Sequence, residues 1–292
     1  MAEIKTVLVC GAGTMGSGIA QTFAGAGFHV RMYDINQKLV EAGFKKIEGP
    51  LLKRVERGKM KKEEVDALVG RIQGSWDLKA AAAGVDYVVE AVFEEMGTKK
   101  QVFAQLDEAA PPHAILASNT SSLSISEMAA ATRRPDRVIG MHFFNPAPVM
   151  RLIEVIRGAA TSAETVAASK ALAVRLGKSP VEVQESPGFV VNRLLVPMMN
   201  EAFNLLQEGI ASADDIDTAM KLGTNMPMGP FELADYTGLD IGLHTMETLF
   251  HETGDAKFRP SPLLRKYVRA GRVGKKVGKG VFEYNEKGER VP

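Results

Sequence analysis

The sequence is short of cysteine: one, Cys10, in 292 residues, which excludes an intrachain disulfide and suits a reducing compartment. It also lacks an excess of either charge. Thirty-six Lys and Arg face 35 Asp and Glu, a net charge of +1, so no global field favours nucleic acid and any anion site must come from local clustering. No apolar run approaches a membrane span. The opening Met1-Ala2-Glu3-Ile4-Lys5 runs straight into a strand pattern, without a basic segment, apolar run and cleavage site. A cytoplasmic protein with no membrane or nucleic-acid partner is expected. His113, His244 and His251 have no companion Cys or carboxylate at ligand spacing, so no metal site is expected. Repeats and low-complexity segments are missing too. What is present, 45% hydrophobic and 24% charged residues, suits a soluble chain with a large core in two domains.

Along residues 4–10 a short apolar run, Val7-Leu8-Val9, closes on Gly11-Ala12-Gly13-Thr14-Met15-Gly16. Helical spacing through Ile19, Ala20, Phe23 and Ala24 follows, then a second strand over residues 28–33 that ends in Asp34. This strand, glycine turn, helix and strand form a βαβ unit. One long helix is expected over residues 37–70, carrying Lys45, Lys46, Lys53, Arg54, Arg57, Lys59, Lys61 and Lys62, with Pro50 interrupting it. Strands at 85–92, 114–118, 138–143 and 152–156, with a helix at 99–110, continue the alternation and imply a parallel, doubly wound α/β sheet. A helix over residues 161–176 is expected to start from a capping box at Thr161 and Glu164.

Past Val181-Glu182-Val183 helix signals dominate. Ser186-Pro187 should open a helix that Gly209 closes, Ser212 should cap the next, and a third should run over residues 230–250. The expected domains are residues 1–184 and a smaller, all-helical 185–292. The helix through Val191, Leu194, Leu195, Met198, Met199, Phe203 and Leu206 is apolar around most of its circumference. That pattern fits either a symmetric dimer interface or a helix central to its own domain. Pro197 is expected to kink it.

The glycine turn has the mechanics of a dinucleotide site. Gly11 permits the tight turn, Gly13 admits a pyrophosphate, Gly16 allows close helix packing, and the helix N-terminus offers amide donors. Asp34, eighteen residues beyond Gly16, can accept bonds from a ribose hydroxyl and would repel a 2′-phosphate. NAD is therefore favoured over NADP, with Arg31 and Lys38 nearby as the opposing observation and FAD as a competitor using the same fingerprint.

The second chemical signal is His142, in Met141-His142-Phe143-Phe144-Asn145-Pro146, followed twelve residues later by Glu154 amid Leu152-Ile153-Glu154-Val155-Ile156. A carboxylate among strand-forming aliphatics is costly to bury unless a cation or hydrogen-bond donor meets it. Asn145-Pro146-Ala147-Pro148 breaks any helix, so two short strands can fold back and set His142 against Glu154. Such a pair is equipped to move a proton at neutral pH.

Together the glycine turn with Asp34, Ser118-Asn119-Thr120-Ser121-Ser122, His142-Phe143-Phe144-Asn145-Pro146, Glu154, and Pro187-Gly188-Phe189-Val190-Val191-Asn192-Arg193 resemble the L-3-hydroxyacyl-CoA dehydrogenase family. The resemblance covers residues 4–284 and implies a Rossmann-type domain followed by a helical substrate-binding and dimerisation domain. It further implies NAD-dependent oxidation of an L-3-hydroxyacyl-CoA to the 3-ketoacyl-CoA, and the reverse, within fatty acid metabolism. His142 would be the acid/base, Glu154 its orienting partner, and Ser121 and Asn192 polar neighbours of the reacting oxygen in a cleft between the domains. Glu94, Lys99, Asn119, Asn145 and Lys276, beside the glycine turn with Thr14 and Met15, would contact NAD. Lys53 and Arg57 are the candidates for coenzyme A phosphates, with a merely solvated helix face as the alternative. A stand-alone chain of this length is similar to the bacterial short-chain members, implying 3-hydroxybutyryl-CoA. Two other functions compete: a dehydrogenase of a free hydroxy or sugar acid on the same fold, and a non-catalytic dinucleotide-binding protein.

Overall fold

The computed structural model describes residues 3–291. The chain divides into a unit ending at Ser186 and a unit beginning at Pro187. The first runs β1 (Thr6–Cys10), α1 (Thr14–Gly25), β2 (His29–Tyr33), α2 (Gln37–Glu56), α3 (Lys62–Val69), β3 (Ile72–Ser75), α4 (Leu78–Ala82), β4 (Tyr87–Glu90), α5 (Met96–Ala109), β5 (Ile115–Ser118), α6 (Ile125–Ala129), β6 (Val138–Phe143), β7 (Leu152–Arg157), α7 (Ala163–Arg175) and β8 (Ser179–Gln184). These strands form one eight-stranded sheet in the order β3-β2-β1-β4-β5-β6-β7-β8. All neighbours are parallel except β6 and β7. Central strands covered on both faces need continuous apolar sequence, and Val7, Leu8, Val9 and Cys10 of β1 are all fully buried. Strand order reverses between β1 and β4, so a crevice opens beyond their carboxyl ends, where such folds bind ligands.

Several local expectations are corrected. Residues 37–70 form two helices, because the chain turns at Gly58, whose φ of +66° suits glycine. Pro50 does not interrupt α2: it lies on the exposed side, where its missing N–H and its ring disturb only solvent-facing backbone. The strand β3 was not foreseen; four residues, Ile72-Gln73-Gly74-Ser75, carry too little apolar pattern to announce it. Ser162, not Thr161, caps α7 by accepting the Thr165 N–H at 3.1 Å, while the Thr161 hydroxyl donates to Val138 O at 2.6 Å.

The second unit holds α8 (Val191–Gln207), α9 (Ala213–Thr224), α10 (Pro230–Thr237), α11 (Leu239–Thr253) and α12 (Pro262–Arg269), followed by a small antiparallel pair, β9 (Glu283–Tyr284) and β10 (Arg290–Val291). The first helix starts at Val191 and not at Ser186-Pro187, because Gly188 and Phe189 adopt positive φ and hold the chain in a turn. Residues 230–250 split at Gly238, at φ +106°, and α12 was not foreseen. Pro197 sits inside a continuous α8. That helix buries Val196, Met199, Ala202 and Phe203 among α10, α11 and α12, so it is central to its own unit, yet it leaves Leu194 71% exposed. Two buried acids stitch this unit: Asp217 accepts the Phe231 and Glu232 N–H groups at the start of α10, and Asp235 accepts those of Val281 and Phe282. No helix among the described residues is long and apolar enough to cross a membrane.

Candidate active site

The turn after β1 is built so that only glycine fits. Gly11 has φ +105°, and a Cβ there would press on the Ala91 carbonyl; a Cβ on Gly16 would collide with the Gly11 carbonyl oxygen. Gly13 is different: a Cβ would meet nothing within 4 Å, which leaves the outer face of the turn open. Gly13 also sits at the N-cap of α1, where no side chain caps the helix and no acid occupies the first turn. Uncapped amides at a helix start favour an anion such as a diphosphate.

Asp34, one residue past β2, accepts the Ala12 N–H and the Ile35 N–H, each at 2.8 Å on a different oxygen. It thereby braces the glycine turn and keeps acceptor capacity on both oxygens for ribose hydroxyls. Arg31 is committed elsewhere, donating to the Ala81 carbonyl at 2.9 Å and to Ala83 at the end of α4. Arg31, one of the two nearby cations, is thus held by backbone carbonyls, and the acceptors of Asp34 fit the ribose of NAD.

Across the crevice, β4 and β5 end in a charged network. Glu90, fully buried, accepts the Lys99 ammonium at 2.7 Å, the Ser118 hydroxyl at 2.6 Å and the Val92 N–H at 2.7 Å. Lys99, 1% exposed, also reaches Glu94 at 3.2 Å. Glu94 in turn accepts the Thr120 hydroxyl at 2.6 Å and the Ser121 N–H at 2.7 Å. Burial works to raise the Glu94 pKa, but Lys99 and the bonds from Thr120 and Ser121 outweigh it and hold the group below its ordinary value. Asn119 accepts the Phe143 N–H at 2.8 Å, tying the β5 loop to the end of β6.

His142 is the fifth residue of β6, and the antiparallel register sets it directly opposite Glu154 of β7. Its Nδ1 lies 2.8 Å from Glu154 Oε2, with His142 6% and Glu154 1% exposed. An ionised Glu154 accepts from Nδ1–H, which sets the tautomer of the neutral ring. The Phe144 ring packs 4.5 Å from the imidazole, tilted by 51°. The loop between the strands, with exposed Asn145, is clamped from below by buried Lys178, whose ammonium donates to the Ala147 carbonyl at 2.6 Å and the Met150 carbonyl at 2.7 Å. Burial lowers the Lys178 pKa.

The first unit therefore gathers His142, Glu154, Ser121, Asn119, Glu94 and Lys99 on the carboxyl side of one sheet with the glycine turn and Asp34. Lys53 is exposed on α2 and Arg57 just past its end, in line with Lys46, whose ammonium lies 3.4 Å from the Ala12 carbonyl. Asn192, half-buried in the first turn of α8, and Lys276, bound to both Asp240 oxygens at 2.7 Å, belong to the second unit. Glu90, Thr120 and Lys178 escaped sequence reasoning. Glu90 had a readable signal, since like Glu154 it is a lone acid ending an aliphatic strand; Lys178 had none, because its partners are backbone carbonyls.

The sequence matches the family described as 3-hydroxyacyl-CoA dehydrogenase, NAD binding domain, over residues 6–186, and its C-terminal domain over residues 188–284. A probable 3-hydroxybutyryl-CoA dehydrogenase of Bacillus subtilis is 55% identical over 285 residues, 98% of this chain and 99% of that one. The 3-hydroxybutyryl-CoA dehydrogenase of Clostridioides difficile is 47% identical, covering 95% of this chain and 99% of its own. Among solved structures, (S)-3-hydroxybutyryl-CoA dehydrogenase from Ralstonia eutropha superimposes with a TM-score of 0.92 at 47% identity, covering 97% of this chain and 100% of that one.

Proposed function

Because the chain belongs to the 3-hydroxyacyl-CoA dehydrogenase family, and is thus an NAD-dependent oxidoreductase of 3-hydroxyacyl-CoA, we propose that it works on short acyl chains through His142 and Glu154. The preferred substrate is L-3-hydroxybutyryl-CoA, in line with the names its relatives carry. The observation that carries the catalytic reading is the 2.8 Å contact between His142 Nδ1 and Glu154 Oε2, across the β6–β7 pair of a dinucleotide-binding sheet.

In oxidation, His142 Nε2 takes the proton of the 3-hydroxyl, and Glu154 stabilises the imidazolium that forms. NAD, when bound, would supply the hydride acceptor for the carbon that bears this hydroxyl. In reduction His142 returns the proton to the oxygen. Ser121 and, by the family resemblance, Asn192 are the polar residues proposed to stabilise the negative charge that gathers on that oxygen. Asp34 and the turn Gly11, Gly13, Thr14, Met15 and Gly16 hold the adenosine and diphosphate half of NAD; Glu94, Asn119 and Asn145 serve the nicotinamide half. Lys99, with its ammonium between two carboxylates, acts on the cofactor through Glu94.

Coenzyme A carries phosphates that a small free acid lacks, and the Lys46, Lys53 and Arg57 stripe offers them point charges. Reversing charge in K53E/R57E is expected to raise KM for acetoacetyl-CoA roughly tenfold, the worth of one charge-assisted contact, and to leave NADH affinity unchanged. An unaltered KM would assign this face to solvent alone.

Residues 1–184 act as the cofactor domain and 185–292 as the substrate and dimerisation domain of a cytoplasmic homodimer. Supporting the dimer, the second unit exposes the apolar side chains of Val190, Leu194, Ile210, Leu222 and Ile241, which association would cover in part. Sedimentation equilibrium at micromolar concentration should give twice the chain mass; a stable monomer would end the dimer.

A further inference from the structure

We propose that Glu94 strengthens the binding of NAD⁺ relative to NADH in this crevice through a fixed and incompletely compensated negative charge. The proposal rests on the reading above that the site binds NAD with its adenosine ribose at Asp34.

Two constraints place the nicotinamide half. With the ribose on the β2 side and the diphosphate at the start of α1, the remaining half must extend past β1 toward β4 and β5. It must also come within reach of the carbon whose oxygen His142 serves, and His142 is on β6. Both conditions are met over the loops that follow β4 and β5, where Glu94 is anchored by Thr120 and Ser121.

The charges there do not cancel. Glu90 and Glu94 share one ammonium, Lys99, leaving a formal charge of −1. The sharing is unequal, 2.7 Å to Glu90 against 3.2 Å to Glu94. The other donors to Glu94 come from Thr120 and Ser121 and are neutral, so they fix its direction without removing its charge. Of the three side chains only Glu94 reaches the surface, at 28% exposure against 0% and 1%. Its depressed pKa keeps it ionised.

The oxidised nicotinamide ring carries a positive charge and the reduced ring is neutral, while the rest of the cofactor is the same in both. A nearby carboxylate therefore stabilises one form selectively. On the enzyme this shifts the balance toward the oxidised cofactor, and so toward reduction of a bound 3-keto thioester.

The test is calorimetric binding of NAD⁺, NADH and ADP-ribose to the full chain, as wild type, E94Q and E94D. Gln keeps an acceptor for Thr120 and Ser121, and ADP-ribose, which lacks the nicotinamide, reports that the site is intact. E94Q should raise the Kd for NAD⁺ about tenfold, with screening by solvent already allowed for, and leave NADH and ADP-ribose within about twofold; E94D, which keeps the charge, should retain the wild-type ratio of NAD⁺ to NADH affinity. Parallel weakening of NAD⁺ and NADH in E94Q, an unchanged NAD⁺ affinity, or an E94D ratio that falls to that of E94Q would each overturn the proposal. Failure of the wild type to bind any of the three would instead overturn the reading on which it rests.

Discussion

Replacing His142 by Asn is expected to lower kcat by roughly 10²- to 10⁴-fold, the usual contribution of a positioned acid/base group. Asn is the informative replacement. Its amide can still donate to Glu154, so the buried carboxylate, 1% exposed, keeps a partner and the large penalty of an uncompensated buried charge is avoided. The strand pairing of β6 with β7 is backbone-based and survives the change. Circular dichroism and NADH affinity should therefore match the wild type while turnover collapses. Near-normal turnover in H142N, with cofactor binding intact, would remove His142 from the mechanism.

Glu154→Gln should be almost as damaging, about 10²-fold or more in kcat, although Glu154 touches neither hydroxyl nor hydride. The side chain keeps its shape and loses its charge. It then no longer stabilises the imidazolium that forms as the proton is taken, and its NH₂ can bond to Nδ1 and select the tautomer in which Nε2 is already protonated. The loss belongs to kcat more than to KM, because the ground-state thioester does not depend on the ring's charge. Comparing kcat and KM of E154Q with those of H142N separates this electrostatic role from a packing role: a purely structural Glu154 would lower thermal stability and leave kcat of the folded fraction unchanged.

The parts of this architecture carried by chain periodicity were readable in advance. Continuous aliphatic runs such as Val7-Leu8-Val9 announce buried strands, and Gly11, Gly13, Gly16 and Asp34 mark a turn whose physics needs those residue types. His142 and Glu154 were legible for a different reason: a lone acid in an aliphatic strand needs a partner, and the Pro-rich turn limits where the partner can be. Element boundaries were less readable. Gly58 and Gly238 divide segments whose helical periodicity continues on both sides, and only their positive φ shows the break. Pro50 misled in the opposite sense, since a proline on the solvent face of a long helix is tolerated. Lys178 was invisible because it binds carbonyls of residues 147 and 150, about thirty positions away, with no side-chain counterpart to suggest the contact. Lys99 matches a cofactor contact of the family, yet its ammonium bridges Glu90 and Glu94, a three-charge arrangement that pairwise motif spacing does not reveal.

The central claim, an NAD-dependent interconversion of short-chain 3-hydroxyacyl-CoA and 3-ketoacyl-CoA, is tested most directly by NADH consumption with acetoacetyl-CoA, free acetoacetate and a long-chain 3-ketoacyl-CoA measured side by side. The account predicts the highest kcat/KM for acetoacetyl-CoA, with the free acid at least about tenfold lower for want of even one charge-assisted phosphate contact. Equal or better turnover of free acetoacetate, or no turnover of acetoacetyl-CoA by a protein that binds NADH, would contradict it.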